Sequence, residues 1–199
     1  QFSADGVLAS NGAMNLELQG NYVNTGVVSA SGDLSISTTG SYTNLNRVSA
    51  QNSLSLTAAG IDNASNATID SQRTTLNAGG GTINNAGLIN STQGQTSIAA
   101  GTLNNTGRIY GDSITLSASV NNSAAAGNGA AIATRGGSVT INGALNNTDD
   151  ALVLSLGNIQ INGSARNDGS TINAMGNVTI TGPLTNTHVG LQTGSQTRT

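Results

Sequence analysis

Leu16-Glu17-Leu18-Gln19-Gly20-Asn21-Tyr22-Val23-Asn24-Thr25-Gly26-Val27-Val28-Ser29-Ala30-Ser31-Gly32-Asp33-Leu34-Ser35-Ile36 decides how this 199-residue chain folds. Its even positions are apolar, small or amide-bearing: Leu16, Leu18, Gly20, Tyr22, Asn24, Gly26, Val28, Ala30, Gly32, Leu34 and Ile36. The odd positions from Ser29 onward read Ser29, Ser31, Asp33 and Ser35. Alternation with a period of two marks a strand with one buried face, whereas a helix would repeat every 3.6 residues. The pattern then returns after 20 residues, with Tyr42, Asn44 and Leu56 standing where Tyr22, Asn24 and Ile36 stood. An even period holds each side chain on the same face in successive copies, so like residues superpose.

Working outward, an anchor asparagine recurs at Asn24, Asn44, Asn63, Asn85, Asn105, Asn122, Asn147, Asn167 and Asn186. Asn24-Thr25-Gly26, Asn85-Ala86-Gly87, Asn105-Thr106-Gly107 and Asn167-Asp168-Gly169 carry a fuller signature, an Asn-x-Gly turn in which both residues tolerate positive φ. A period near 20 is too short for a helix-containing crossover, and three short apolar bursts per period fit one turn of a parallel β-helix. The expected fold is therefore all-β, a solenoid of about nine coils. At a rung spacing of about 4.8 Å it makes a rod on the order of 45 Å long. The anchors should form a structural ladder that bonds corner backbone groups. Residues 1–191 form the repeat body, and 192–199 are expected to be a frayed polar tail.

Two places break the period. Ser123-Ala124-Ala125-Ala126-Gly127-Asn128-Gly129-Ala130-Ala131 reads as a loop protruding from one corner, and Gly79-Gly80-Gly81 as a wider turn. The loop is the one sequence feature that suggests a contact surface, with Ser123, Ala126, Asn128 and Ala131 as candidate interaction residues.

Composition agrees with a thin core of stacked small residues. Hydrophobic residues make up 36% of the chain, aromatic ones 2% and charged ones 8%. The single proline and the strong alternation argue against disorder. With no cysteine, neither a disulfide framework nor a thiolate metal site can form. The formal charge is −3, and the six basic residues, all Arg, are scattered, which argues against a nucleic-acid partner. No run of about 18 apolar residues is present, so the chain is not expected to span a membrane. No signal-type segment opens it, and it reads as an internal piece.

The iterated coil from Asn24 to Ile36, and again from Asn105 to Leu116, resembles the haemagglutinin-type repeats of filamentous haemagglutinin and of contact-dependent growth inhibition exoproteins. The resemblance covers nearly the whole chain. It implies a right-handed parallel β-helix, a hand that parallel crossovers also favour. It further implies a secreted, cell-surface stalk of an adhesin or toxin-delivery protein, exported by an outer-membrane two-partner secretion transporter. An Asn-Pro-Asn secretion motif and a Val-Glu-Asn-Asn pretoxin boundary are absent from the sequence, so adhesin and toxin-delivery stalks stay equally open. A target-cell receptor or glycan is the alternative partner, and cut coil ends could associate end to end.

The chemistry-bearing residues point to no catalytic centre. His188 is the single histidine and lacks the companions a metal site needs, so it is given no role. Asp149-Asp150, in the turn after Asn147, could hold calcium with help from loop carbonyls, but adjacent strand residues normally face opposite ways and Asp is common in turns for local hydrogen bonding. The nine acids are spread thinly over the coils, which weighs against a polysaccharide-acting enzyme of the β-helix type. No cofactor and no metal are expected. Tyr22 and Tyr42 should stack, and Tyr110 should point outward.

Overall fold

A computed structural model describes residues 2–124, 127, 129–188 and 191–198; for 2–4 and 191–198 it describes the backbone alone. The fold is all-β, a solenoid of parallel strands in about nine turns of roughly 20 residues. Each turn contributes to three walls. The anchor wall takes strands such as Tyr22–Asn24, Ser41–Asn44 and Gly60–Asn63. The second wall takes Val27–Ala30, Arg47–Ala50 and Thr68–Ser71. The third takes Leu34–Thr38, Ser53–Thr57 and Arg73–Asn77.

Register follows from the even period in the first coils and is kept where later spacings are odd, because the corners absorb the difference. On the third wall Leu16, Ile36, Leu56, Leu76, Ile98, Leu116, Ile141, Ile161 and Ile180 stack in one column. The second wall stacks Leu8, Val28, Val48, Ile69, Ile89, Ile109, Ile132, Val153 and Ile172. From Val28 and Ile36 onward both columns are buried. Every full coil therefore removes several branched side chains from water, each contributing roughly 1.5–3 kcal/mol. Because each coil touches only its neighbours, that stabilisation is spread along the rod.

Tyr22 and Tyr42 are register partners whose rings stack at 5.3 Å between centroids and 23° between planes. The Tyr42 hydroxyl is buried without a hydrogen-bond partner, and burial pushes its pKa far up. A desolvated, unpaired hydroxyl opposes folding. Tyr42→Phe is accordingly expected to raise the unfolding free energy by about 1 kcal/mol, read from the urea midpoint; an equal loss would mean that the hydroxyl has a partner.

Glycine works differently from the turn chemistry expected of it. Of the four Asn-x-Gly signatures, only Gly169 has positive φ, at 56°. At Gly26 a Cβ would lie 2.5 Å from the Gly6 nitrogen, at Gly107 it would lie 2.6 Å from the Ala86 carbonyl carbon, and at Gly87 it would lie 2.9 Å from Asn63 Nδ2. These glycines are required because the preceding coil passes too close for a side chain.

The period breaks lie at two corners. Gly79-Gly80 forms a turn closed by Gly81 N donating to Ala78 O at 2.8 Å. In the same coil, Ala67 N donates to Ala64 O at 2.9 Å, closing a second small insertion that the spacing alone did not place. At the C-terminal end, Leu191–Arg198 forms a strand on Thr171–Ile180, where the sequence reading expects fraying. The preceding coil offers unpaired backbone groups that even a polar segment can satisfy.

Candidate functional site

The feature with the most order is the buried amide ladder. Asn24 Nδ2 donates to Asn44 Oδ1, Asn44 to Asn63, Asn63 to Asn85, Asn85 to Asn105, Asn105 to Asn122, Asn122 to Asn147, Asn147 to Asn167 and Asn167 to Asn186, all at 2.7–2.9 Å. The second amide proton bonds the carbonyl that opens the next coil's second-wall strand: Arg47 O for Asn24, Thr68 O for Asn44, Leu88 O for Asn63, Arg108 O for Asn85. That carbonyl marks the geometry: the direction of donation is the same at every step, N-terminal coil to C-terminal coil. Asn24 Oδ1 is left buried without a partner, because its register neighbour in the preceding coil is Ala4, which has no amide.

A second ladder runs on the outside of the anchor wall with the reverse polarity. Asn84 Nδ2 donates to Asp62 Oδ1 at 2.6 Å, Asn104 to Asn84 at 2.9 Å and Asn121 to Asn104 at 2.9 Å. The Asp62 carboxylate can only accept, so it fixes the direction of the amides that follow it.

Sequence reasoning missed a buried hydroxyl cluster at the corner between the second and third walls. Ser71 Oγ and Thr74 Oγ1 lie 2.9 Å apart, Ser91 Oγ and Thr96 Oγ1 2.6 Å apart, and Thr134 and Ser155 bond the carbonyls of Gly137 and Asn158. These residues stand in columns that hold Ala30, Ala50, Leu34 and Leu54 nearer the N-terminus. The signal was their phase with the inward apolar residues of the same strands, Ile69 before Ser71 and Ile89 before Ser91, hidden by the abundance of Ser and Thr on the outer face.

Of the four loop residues singled out, Ala126 and Asn128 lie outside the described residues. Ala131 is buried and opens the strand Ala131–Thr134, so it belongs to the wall. Ser123 ends the strand Ser113–Ser123 and donates through Oγ to Asp149 Oδ2 at 2.6 Å. Gly127 reaches the same corner as the Ala64–Ala67 turn, and together with Ser65, Asn66, Thr68, Leu88 and Arg108 it lines a groove of about 380 Å³. The two insertions thus flank the tight Asn-x-Gly turns of the coils between them.

Asp149 and Asp150 sit in the turn expected after Asn147, at φ 61° and 62°. Hydrogen bonds from Ser123 and Thr148 hold the Asp149 carboxyl below its ordinary pKa, and bonds from Thr187 and His188 do the same for Asp168. His188 is exposed, with Nδ1 2.9 Å from Asp168 Oδ1, and Arg166 also bonds Asp168. Among the described residues no three acidic or histidine side chains are placed to hold a metal ion. On the second wall the Tyr110 ring is half-buried under the Arg135 guanidinium, 5.7 Å from its centroid, and Arg135 Nη1 reaches two coils back to Ser91 O at 2.6 Å. That contact staples three coils together on their outer face.

Comparison with protein-family models, with curated proteins and with solved structures returns no match.

Proposed function

We propose that this chain is a stalk segment, a stiff spacer of a large secreted, surface-exposed bacterial exoprotein of the haemagglutinin-repeat kind, carrying a distal adhesive or toxic part away from the cell. The observation that carries this reading is the amide ladder, eight successive links of 2.7–2.9 Å that couple each coil from Asn24 onward to the next. A rod stabilised only by neighbouring coils gains or loses length by whole coils without a change in its core, which is what a spacer requires. Its outward Asn, Ser and Thr keep such a rod hydrated.

A second reading, an interaction module for a target-cell receptor or glycan, draws on the groove between the two insertions, where Arg108 is exposed. Binding of the purified chain to intact bacterial and epithelial cells separates the two, with an unrelated β-solenoid of similar length as control. The stalk reading expects no binding above the control. Saturable excess binding that disappears on replacing Arg108 and shortening the 124–130 insertion would replace it with the second reading.

A further inference from the structure

Asparagine followed by glycine occurs four times, at 11–12, 128–129, 142–143 and 162–163. The second of these begins on a residue outside the described ones. Asn142 and Asn162 stack in successive coils at the corner between the third and anchor walls, and both are exposed. Asn162 Nδ2 donates to Asn142 Oδ1 at 2.8 Å, whereas Asn142 Nδ2 is held only by a long 3.4 Å contact to Ser117 Oγ. Around the corner, Asn142 N bonds Leu116 O and Leu145 N bonds Ser164 O, while the Gly143 amide between them has no acceptor among the described residues. Gly143 also has no side chain to shield its nitrogen.

We propose that Asn142-Gly143 is a self-modifying site, where the folded corner converts the Asn142 carboxamide into a carboxylate with water as the only co-reactant. The Gly143 amide nitrogen attacks Asn142 Cγ, forming an N–Cγ bond as its proton passes to solvent base. The Cγ–Nδ2 bond then breaks, and Nδ2 takes a proton from water and leaves as ammonia. Water adds to either carbonyl of the cyclic imide and opens it to an aspartyl or isoaspartyl linkage. No electron is gained or lost.

The corner favours the attack in two ways. The hydrogen bond from Asn162 withdraws electron density from the Asn142 carboxamide and stabilises the oxyanion that forms on Oδ1, as a donor does in acyl transfer. The leaving nitrogen is weakly held. Asn162 Oδ1 also accepts, from Gln160 Nε2 at 2.7 Å, so the two sites differ in the leaving nitrogen, which at Asn162 is held by its 2.8 Å donation to Asn142. Once position 142 is a carboxylate, that bond becomes charge-assisted and stronger, so the first conversion slows the second. At Asn11 the following amide is engaged, with Gly12 N donating to Ser10 Oγ at 3.2 Å.

The test is incubation of the folded chain at mildly alkaline pH, followed by cleavage after Arg135 and Arg166 and localisation of the amide-to-acid mass gain by fragmentation. Conversion is expected first at Asn142, ahead of Asn11 and Asn162, with an isoaspartyl fraction. N162A, which removes an exposed side chain and its donor, is expected to slow the Asn142 conversion several-fold in the folded chain and to leave it unchanged in urea. Circular dichroism verifies that the variant is folded. Faster conversion at Asn11 than at Asn142, or an unchanged Asn142 rate in folded N162A, would overturn the proposal.

Discussion

Asn105→Ala is expected to lower the unfolding free energy by about 3 kcal/mol or more, among the largest single effects the chain can show. Asn105 accepts from Asn85 and donates to Asn122, both at 2.7 Å, and also bonds Gly107 O at 3.1 Å. Its removal leaves a buried donor on one side and a buried acceptor on the other, each costing about 1–3 kcal/mol when unpaired. Water cannot repair the loss, because both neighbours are buried. The neighbouring Asn104→Ala is the control. Asn104 belongs to the outer ladder, within reach of solvent, and its loss should stay within about 0.5 kcal/mol. Urea midpoints, with hydrogen exchange on the flanking coils, read the difference. Equal effects at 104 and 105 would show that the buried ladder contributes no more than a surface one.

The second large effect is expected at Gly107→Val, a loss of roughly 3–5 kcal/mol. A Cβ at this position would lie 2.6 Å from the Ala86 carbonyl carbon and 2.7 Å from its oxygen, so the two coils must part. Parting them stretches the ladder links above and below. Gly80→Ala, by contrast, meets nothing within 4 Å and has no positive φ, so it should be neutral or gain up to about 1 kcal/mol by restricting the unfolded chain. A mild Gly107→Val would mean that the corner relaxes freely, and the close-approach account of these glycines would fail.

Much of the fold was legible because a 20-residue period is even. Tyr22 over Tyr42, Asn24 over Asn44 and Leu16 over Ile36 over Leu56 follow from subtraction alone. The later anchors came from the recurring asparagine itself, because their separations depart from 20, to 19, 22, 17 and 25. The sequence was silent where the signal depends on contact between coils. Nothing in the sequence separates Gly26, required by a close backbone, from Gly169, required by its φ, because both follow an anchor asparagine by two residues. Ser71 and Thr74 are buried while Ser49 and Thr75 are not, yet the four look alike until the register is drawn. The 22-residue spacing from Asn63 to Asn85 announced extra residues, but the visible glycine run at 79–81 drew attention from the second insertion at Ala64–Ala67. The groove between that turn and Gly127 depends on two segments about 60 residues apart sharing one corner, which no local pattern encodes.

The one-way direction of the buried ladder makes the rod electrically polar. Nine primary amides, each comparable to a peptide dipole of about 3.5 D, point along the axis in the same sense. Partial negative charge therefore collects at the Asn24 end and partial positive charge at the Asn186 end. A helix gathers charge at its termini by the same head-to-tail alignment; here side chains do it inside a β-fold, with every anchor before the exposed Asn186 buried away from screening water. The coil before Asn24 places Ala4 in this column and offers no amide, so the negative end of the ladder lies inside the fold, at a buried oxygen, and not on a surface.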